Sequence, residues 1–315
     1  SVNYPLRGAV TWKSVVGTNV ASDGLSNLAS AGVKGGALIV VGEDYGEGSS
    51  IIQERSHAFA MKSSMCLLDP RPSLPSIVRM VEHGFRLSEA SNMPSMLELR
   101  IRACHVYGRF TASDNVHPQF SRNNRVQDAE FDFSRVSLPP APYSQEKHKI
   151  EHRLPAAVRY IADNKLNELF DGDVEDIGIV VQGGVYNTLM RSLNQLGLAD
   201  IYGESRIPIF VLNVTFPLVP DEIANFCAGK STVLVVEEGQ PAYIEDAIHA
   251  ILRKQDINTR ICGKDFLPIA GEYTSEVVLR GVKGFVAAHG PASLDAGTAL
   301  ARVDRLMEDK DAARA

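Results

Sequence analysis

The 315-residue sequence contains no C-x-x-C pair; its four cysteines, Cys66, Cys104, Cys227 and Cys262, stand far apart. That spacing excludes a local zinc or iron–sulfur motif, and it fits a reduced cytoplasm better than a disulfide framework. No apolar run approaches the ~18 residues needed to span a bilayer. The start, SVNYPLRG, has neither the basic nor the apolar region of a secretory signal. It also lacks a Met, so the chain is expected to begin part-way into something longer. Excess positive charge is missing too: the net charge is -6 and the pI about 5.8, without the electrostatic footprint of a nucleic-acid binder. There is no internal repeat and no low-complexity tract. What remains is 44% apolar and 22% charged, the balance of a soluble globular protein long enough for two domains.

Short apolar runs alternate with helical periodicity from Arg7 to about Arg109. Gly8 to Trp12 reads as a strand, Ser22 to Ala31 as a helix, Ala37 to Val41 as a strand, Ser50 to Ser63 as a helix and Pro75 to Ala90 as another helix. Met96 to Ala103 then alternates, with Leu97, Leu99, Ile101 and Ala103 set against Glu98, Arg100 and Arg102. A period of two predicts a strand with one apolar and one charged face. Residues 111 to 156 are polar and proline-rich, the composition of a connecting segment. A second alternating region follows: strands at Ile177 to Val181, Ile207 to Val211 and Thr232 to Val236, and helices near Asn187 to Leu196, Asp221 to Cys227 and Ala242 to Arg253. Strands alternating with helices predict crossover units, hence two α/β domains with mostly parallel sheets.

The stretch GEDYGEGSSIIQERSHAFA, residues 42 to 60, follows the apolar run Ala37 to Val41. A dinucleotide fingerprint needs a third glycine after Gly46 and Gly48, and there is none. Glu43, Asp44 and Glu47 would also set negative charge beside a phosphate. The spacing of the acids is not that of an EF-hand. Ser50 with Gln53 three residues on reads as a capping box for the following helix. HKIEH, His148 to His152, matches the zinc pattern H-x-x-E-H, but its charged, proline-flanked setting reads as a solvated helix start. Asp171, Gly172 and Asp173 precede a strand and read as a turn. Glu237 and Glu238, adjacent at a strand end, read as helix capping or a domain contact. Gln182, Gly183 and Gly184 close a strand at the sheet end where open parallel sheets bind ligands.

Several stretches resemble the 2-oxoacid:ferredoxin oxidoreductase family, and within it the large subunit of the indolepyruvate-type enzymes. TWKSVVGTNVASDGLSNLASAGVKGGALIVVGED is similar to that family's strand, VG-x-N-V-A-x-D helix and GVKGG-strand run. SSIIQERSHAFA is similar to its SSQNEQDSR segment, with Ser49, Ser50, Glu54 and Arg55 in matching places. LRIRACHVYGR is similar to its R-x-S-H segment, with Arg102 and His105 matching. LNVTFPLVPDEIANF and VLVVEEGQPAYIEDAIHAIL extend the likeness through the second half. The resemblance implies that residues 1–135 are the later part of a thiamine pyrimidine-binding-type domain. Residues 136–170 would be a linker and helix, and 171–315 a transketolase-C-terminal-like domain. It further implies thiamine diphosphate and Mg as cofactors, with Lys13, Asn19, Ser49, Ser50, Glu54, Arg55, Arg102 and His105 on the substrate and cofactor side.

The same resemblance implies an oxidative decarboxylation of an aryl 2-oxoacid such as indolepyruvate to the acyl-CoA. Ferredoxin would be the electron acceptor, coenzyme A the acyl acceptor and a smaller beta subunit the partner, in an oligomer. The family's activating Glu lies upstream of the matched region, and its G-D-G metal motif and iron–sulfur cysteines lie downstream. Since none of these occurs in the 315 residues, the expectation is an incomplete catalytic subunit that would be inactive alone. Two other readings stand beside it: a non-catalytic α/β interaction module, and a related oxidoreductase for pyruvate or branched 2-oxoacids.

Overall fold

The computed structural model describes residues 6–45, 52–53, 55–114, 132–294 and 297–314. In the first half, β1 (Gly8–Lys13) runs through a π-turn (Ser14–Thr18) into α1 (Asn19–Ala31). Then come β2 (Ala37–Glu43), α2 (Ser56–Ser63), β3 (Cys66–Leu68), α3 (Leu74–Ser91), β4 (Ser95–Arg100), α4 (Ile101–Cys104), α5 (Ala141–His148) and α6 (Leu154–Asp163). The second half holds β5 (Glu168–Phe170), β6 (Ile177–Gln182), α7 (Tyr186–Gln195), β7 (Ile209–Leu212), β8 (Val214–Phe216) and α8 (Pro220–Cys227). It continues through β9 (Thr232–Val236), α9 (Tyr243–Lys254), β10 (Arg260–Cys262), α10 (Ser275–His289) and α11 (Gly297–Arg314).

Two five-stranded sheets result, ordered β1-β2-β4-β3-β8 and β10-β9-β6-β7-β5. Both are parallel except at one edge, where β8 runs antiparallel to β3 and β5 antiparallel to β7. The strands β2, β3, β6, β7 and β9 are apolar runs because both their faces are covered. On the first sheet Leu38, Leu68 and Leu97 pack with Met80 and Leu87 of α3 and Ile161 of α6. Ile39, Val41 and Met96 face Leu25 and Ala29 of α1 and Ala60 of α2. The second sheet is sandwiched likewise, Ile179 and Val181 against α7 and α10, Val180 and Val235 against α8 and α9. The α/β fold with mostly parallel sheets is as expected from the sequence. Among the described residues no helix is long and apolar enough to cross a membrane.

Three local expectations change. The strand expected to reach Ala103 ends at Arg100, and its charged face is buried: Glu98 is 3% and Arg100 2% exposed. A period of two marks a polar face but cannot say whether water or an internal polar layer lies against it. The helix expected from Ser50 begins at Ser56. Ser50 lies outside the described residues, and the first turn is capped instead by Glu43, whose Oε2 accepts from the Ser56 N–H at 2.8 Å. Finally, the polar stretch before 156 is not all linker. From Ala141 to Asp163 it is helical, with a π-turn at Lys149–Arg153. There Arg153 donates to the carbonyls of Ala29, Ser30 and Ala31 at 2.9–3.2 Å, satisfying the C-terminus of α1.

If α6 is part of the first core, Ile161→Ala should lower unfolding stability by about 2–5 kcal/mol. Chemical denaturation followed by far-UV circular dichroism measures this; a change of a few tenths would mean that the helix merely lies on the surface.

Candidate functional site

In parallel sheets the chain leaves every strand at the same end, where side chains after the strand can meet. Here each of five strands closes on a polar residue: β2 at Glu43, β3 before Asp69, β4 at Arg100, β6 at Gln182 and β9 before Glu237 and Glu238. The two sheets bring these ends against one another. Gly183 and Gly184, just after β6, make the approach feasible. A Cβ at Gly183 would stand 1.9 Å from the Asp69 carbonyl oxygen, and one at Gly184 would strike the Arg100 side chain. The Gly184 N–H instead donates to Asp69 Oδ1 at 3.0 Å.

Arg100 is the hub. Its guanidinium meets Asp69 Oδ2 at 2.8 Å, Glu98 Oε1 at 2.9 Å and, across the sheets, Glu238 Oε2. Its face lies over the Tyr45 ring, 5.4 Å from the centroid. Glu238 is held from every side: Arg102 Nη2 donates at 2.5 Å, the Tyr273 N–H reaches the same oxygen, and its own N–H donates to Gln182 Oε1 at 2.8 Å. Arg102 also donates to the Tyr273 carbonyl at 2.6 Å and Thr188 Oγ1 at 3.2 Å, and pairs with Glu272 at 3.0 Å.

A second bridge lies beside it. Arg55 Nη1 donates to Glu237 Oε1 at 2.7 Å and to the Pro241 carbonyl, with its guanidinium 5.0 Å from the Tyr243 ring centre. Glu237 in turn caps α9 by accepting from the N–H groups of Ile244 and Glu245 at 3.0 Å. Lys264 Nζ donates to the carbonyls of Glu237 and Gly239 and to the Tyr273 hydroxyl. Both roles expected of Glu237 and Glu238, helix capping and domain contact, are realised, one by each residue.

The charges do not balance. Five buried carboxylates, Glu43, Asp69, Glu98, Glu237 and Glu238, face the buried Arg55 and Arg100, with Arg102 and Lys264 half-buried beside them. Burial pushes the Glu98 carboxyl well above the usual carboxylate range; Arg100 offsets this only in part, while Glu43 and Asp69 add to it. Of the five carboxyls, Glu98 is the one pushed furthest toward its protonated form. Burial also raises Glu43, against the hydrogen bonds from Ser56 and Tyr45. It opposes the charge on Arg100, but Asp69, Glu98 and Glu238 more than compensate and raise that group well above an ordinary arginine. Desolvation lowers Lys264 to about 8, despite Glu237 nearby. His57, stacked 5.1 Å from Tyr243, is lowered to about 3, first by burial and then by Arg55 and Arg100. It is a neutral packing ring at neutral pH.

Of the residues singled out from the sequence, Arg55 and Arg102 are brought together through the adjacent Glu237 and Glu238. Lys13, at the end of β1, lies 3.6 Å from Asp44 after β2, and Asn19 opens α1; both are exposed. His105 is exposed past α4, where its N–H donates to the Arg102 carbonyl at 3.3 Å. Ser49, Ser50 and Glu54 lie outside the described residues. The sequence reading missed Glu43, Asp69, Arg100, Lys264 and Tyr273. The available signal was a charge directly after each apolar run, as in VVGE, LLD, LELR and VVEE. Chemically the cluster can lock two domains and hold the described residues on either side of the 46–54 stretch. Most of its side-chain groups bond one another, while Arg55 Nε and Nη2 and Glu98 Oε1 are buried without a hydrogen-bond partner among the described residues.

No family model matches the chain. It is similar to indolepyruvate oxidoreductase subunit IorA of Methanothermobacter marburgensis, 27% identical over 277 residues, covering 87% of this chain and 43% of the relative. The IorA subunit of Pyrococcus abyssi is 25% identical over 289 residues, covering 91% and 43%. The chain thus spans well under half the length of the curated relatives it matches. Among solved structures, the 2-oxoglutarate:ferredoxin oxidoreductase of Magnetococcus marinus, with 2-oxoglutarate, coenzyme A and succinyl-CoA bound, superposes with a TM-score of 0.59 at 16% identity. That match covers 88% of this chain and 52% of the other. A split-gene transketolase, an inactive beta4 tetramer, gives 0.50 at 13% identity over 90% and 76%. The structural likenesses are of fold. The sequence likeness to indolepyruvate oxidoreductase subunit IorA extends over 87–91% of the chain.

Two pH effects of opposite sign follow. Glu98 has a folded pKa above its unfolded value of about 4.3. Its contribution is complete below that pH and is lost as pH rises, by up to ~1.4 kcal/mol per unit. Glu98→Gln should abolish that part of the decline, whereas Glu238→Gln, which strips a buried partner from two arginines, should cost about 3–5 kcal/mol. His57, depressed to about 3, contributes stability above its unfolded pKa of about 6.5 that is lost as pH falls toward 3. His57→Phe should flatten that acid limb. Denaturation midpoints measured from pH 3 to 9 check all three; parallel curves for parent and variants would remove these assignments.

Proposed function

We propose that this chain, a relative of indolepyruvate oxidoreductase large subunits, is the part of such a subunit that joins its pyrimidine-binding-type domain to its transketolase-C-terminal-like domain. The complete enzyme would oxidatively decarboxylate a 2-oxoacid, with an aryl acid such as indolepyruvate as substrate. Coenzyme A would take the acyl group and ferredoxin the electrons, and a smaller beta subunit would complete an oligomer in the cytoplasm. The observation that carries this reading is a sequence likeness that extends over both domains, 277 residues and 87% of this chain against one relative. The geometry supports it: the loop matching the family's serine-bearing segment springs from the strand ends where α/β sheets receive ligands.

Thiamine diphosphate, which the likeness implies, is not fitted by the described residues. An aminopyrimidine requires a carboxylate free to bond it. Here both oxygens of Glu43 are taken by Ser56 and Tyr45, and Glu98 is buried against Arg100, out of reach of a ligand. Among the described residues no group of three His, Cys, Asp or Glu is placed to hold a metal ion. In the complete enzyme, cofactor, Mg and iron–sulfur clusters would be held by other segments, as the family likeness implies. The present segment fixes the substrate-side wall: Glu43 anchors the loop at its start, Arg55 at its end through Glu237, and Arg102 ties the neighbouring strand end to Glu238. Ser49, Ser50, Glu54, Lys13 and Asn19 would face the 2-oxoacid, as the family likeness implies.

The test uses the complete large subunit with its partner subunit. Indolepyruvate, 2-oxoglutarate and pyruvate are compared in coenzyme A-dependent reduction of ferredoxin. Indolepyruvate should give the highest kcat/KM, and Ser49→Ala should raise KM about tenfold while leaving the thermal midpoint unchanged. Preference for another 2-oxoacid would correct the substrate. No reduction with any of the three would favour the interaction-module reading.

A further inference from the structure

A cavity of about 580 Å³ lies between the outer strand β5 and helix α8, away from the buried network. Phe210 and Phe226, with ring centres 5.5 Å apart, form its floor, and the exposed Leu169 forms a wall. Two carboxylates line it, Glu168 and Glu222, and they differ in what they hold. Glu168 takes a bidentate pair from Arg71 at 2.6 and 2.8 Å. The same guanidinium lies 5.2 Å from the Phe170 ring centre and 4.9 Å from that of Tyr186. On that side of β5, then, a carboxylate beside aromatic faces makes a seat for a planar cation, and the protein fills it with its own arginine.

The cavity sets a second carboxylate beside apolar rings without an arginine; the Phe226 ring is itself stacked on Phe210 and has Lys230 Nζ 5.1 Å from its centre. Glu222 accepts one hydrogen bond, from Asn167 Nδ2 to Oε2 at 2.8 Å. Among the described residues no charged group neutralises it: burial raises its pKa, and the Asn167 bond opposes that. Lys165, exposed at the rim, forms no ion pair with it among the described residues. The position of Glu222 in the first turn of α8 explains a carboxylate there, but not the ring-floored cavity in front of it.

We propose that this cavity binds a guanidinium group, which would donate to Glu222 Oε1 and lay its apolar stem along Leu169 and the phenylalanine floor. The inference is independent of the proposed oxidoreductase function. A peptide arginine and a free guanidino amine share this chemistry, and the test separates them. The whole chain, labelled with 15N, is titrated with N-acetyl-arginine amide, with its neutral isostere N-acetyl-citrulline amide, and with agmatine. The arginine probe should saturate shifts of the Leu169 and Asn225 amides at a Kd on the order of 1 mM, and the citrulline probe should not. Glu222→Gln, which keeps the acceptor for Asn167, should weaken the response roughly tenfold. Tighter binding of agmatine than of the arginine amide would assign a free amine as the ligand, and the reverse a protein side chain. Equal response to the citrulline probe, an unchanged Kd in Glu222→Gln, or no saturation with either cation would overturn the proposal.

Discussion

The contact between Arg100 and Glu238 is the constraint on which the rest of the structure depends. Each residue belongs to a different sheet, each is almost fully buried, and neither could be left there alone. An ion taken out of water costs several kcal/mol unless its partners are close and its remaining hydrogen bonds are filled. The surrounding residues supply those partners: Asp69 and Glu98 complete the shell of Arg100, and Arg102, Gln182 and the Tyr273 amide complete that of Glu238. The two sheets can therefore meet in one relative position only. Such a cluster is poor evidence of extra stability and better evidence of a unique arrangement.

That arrangement determines what the loop after β2 can do. Of the residues that flank it, Glu43 is tied to the start of α2 and Arg55 reaches into the second domain. Two glutamates at strand ends, Glu43 and Glu237, each cap a following helix whose own first residues offer no capping side chain. In both cases the helix N-terminus is held by an acid at a strand end, so the placement of α2 and α9 is coupled to the sheets.

The alternation of strand and helix was legible in the sequence because buried parallel strands are apolar runs, as in ALIVV and TVLVV, and the covering helices have one apolar face. The parallel sheets followed from that order. Less legible was the difference between a solvated and a buried charge. Glu98 and Arg100 carry the same alternating signature as an exposed strand face, and only the partner sheet, distant in sequence, turns them inward. The start of α2 was misread at Ser50 because a capping box is a local signal, whereas Glu43 caps from the preceding strand. Arg55 and Arg102 were picked out through family motifs, while Asp69 and Lys264, which carry none, emerged only when the chain was folded.

Strands β7 and β8 are separated by Asn213 alone, yet they belong to different sheets. The Asn213 side chain ties the junction down, accepting from the Arg71 N–H and donating to the Leu166 carbonyl and to Glu168. The first sheet thus borrows its last strand from sequence made more than a hundred residues after β3. During synthesis the amino-terminal half would wait with the edge of β3 unpaired until Val214–Phe216 arrived. The two halves are consequently separate as cores but not as folding units, and the order of emergence from the ribosome becomes part of how they find each other.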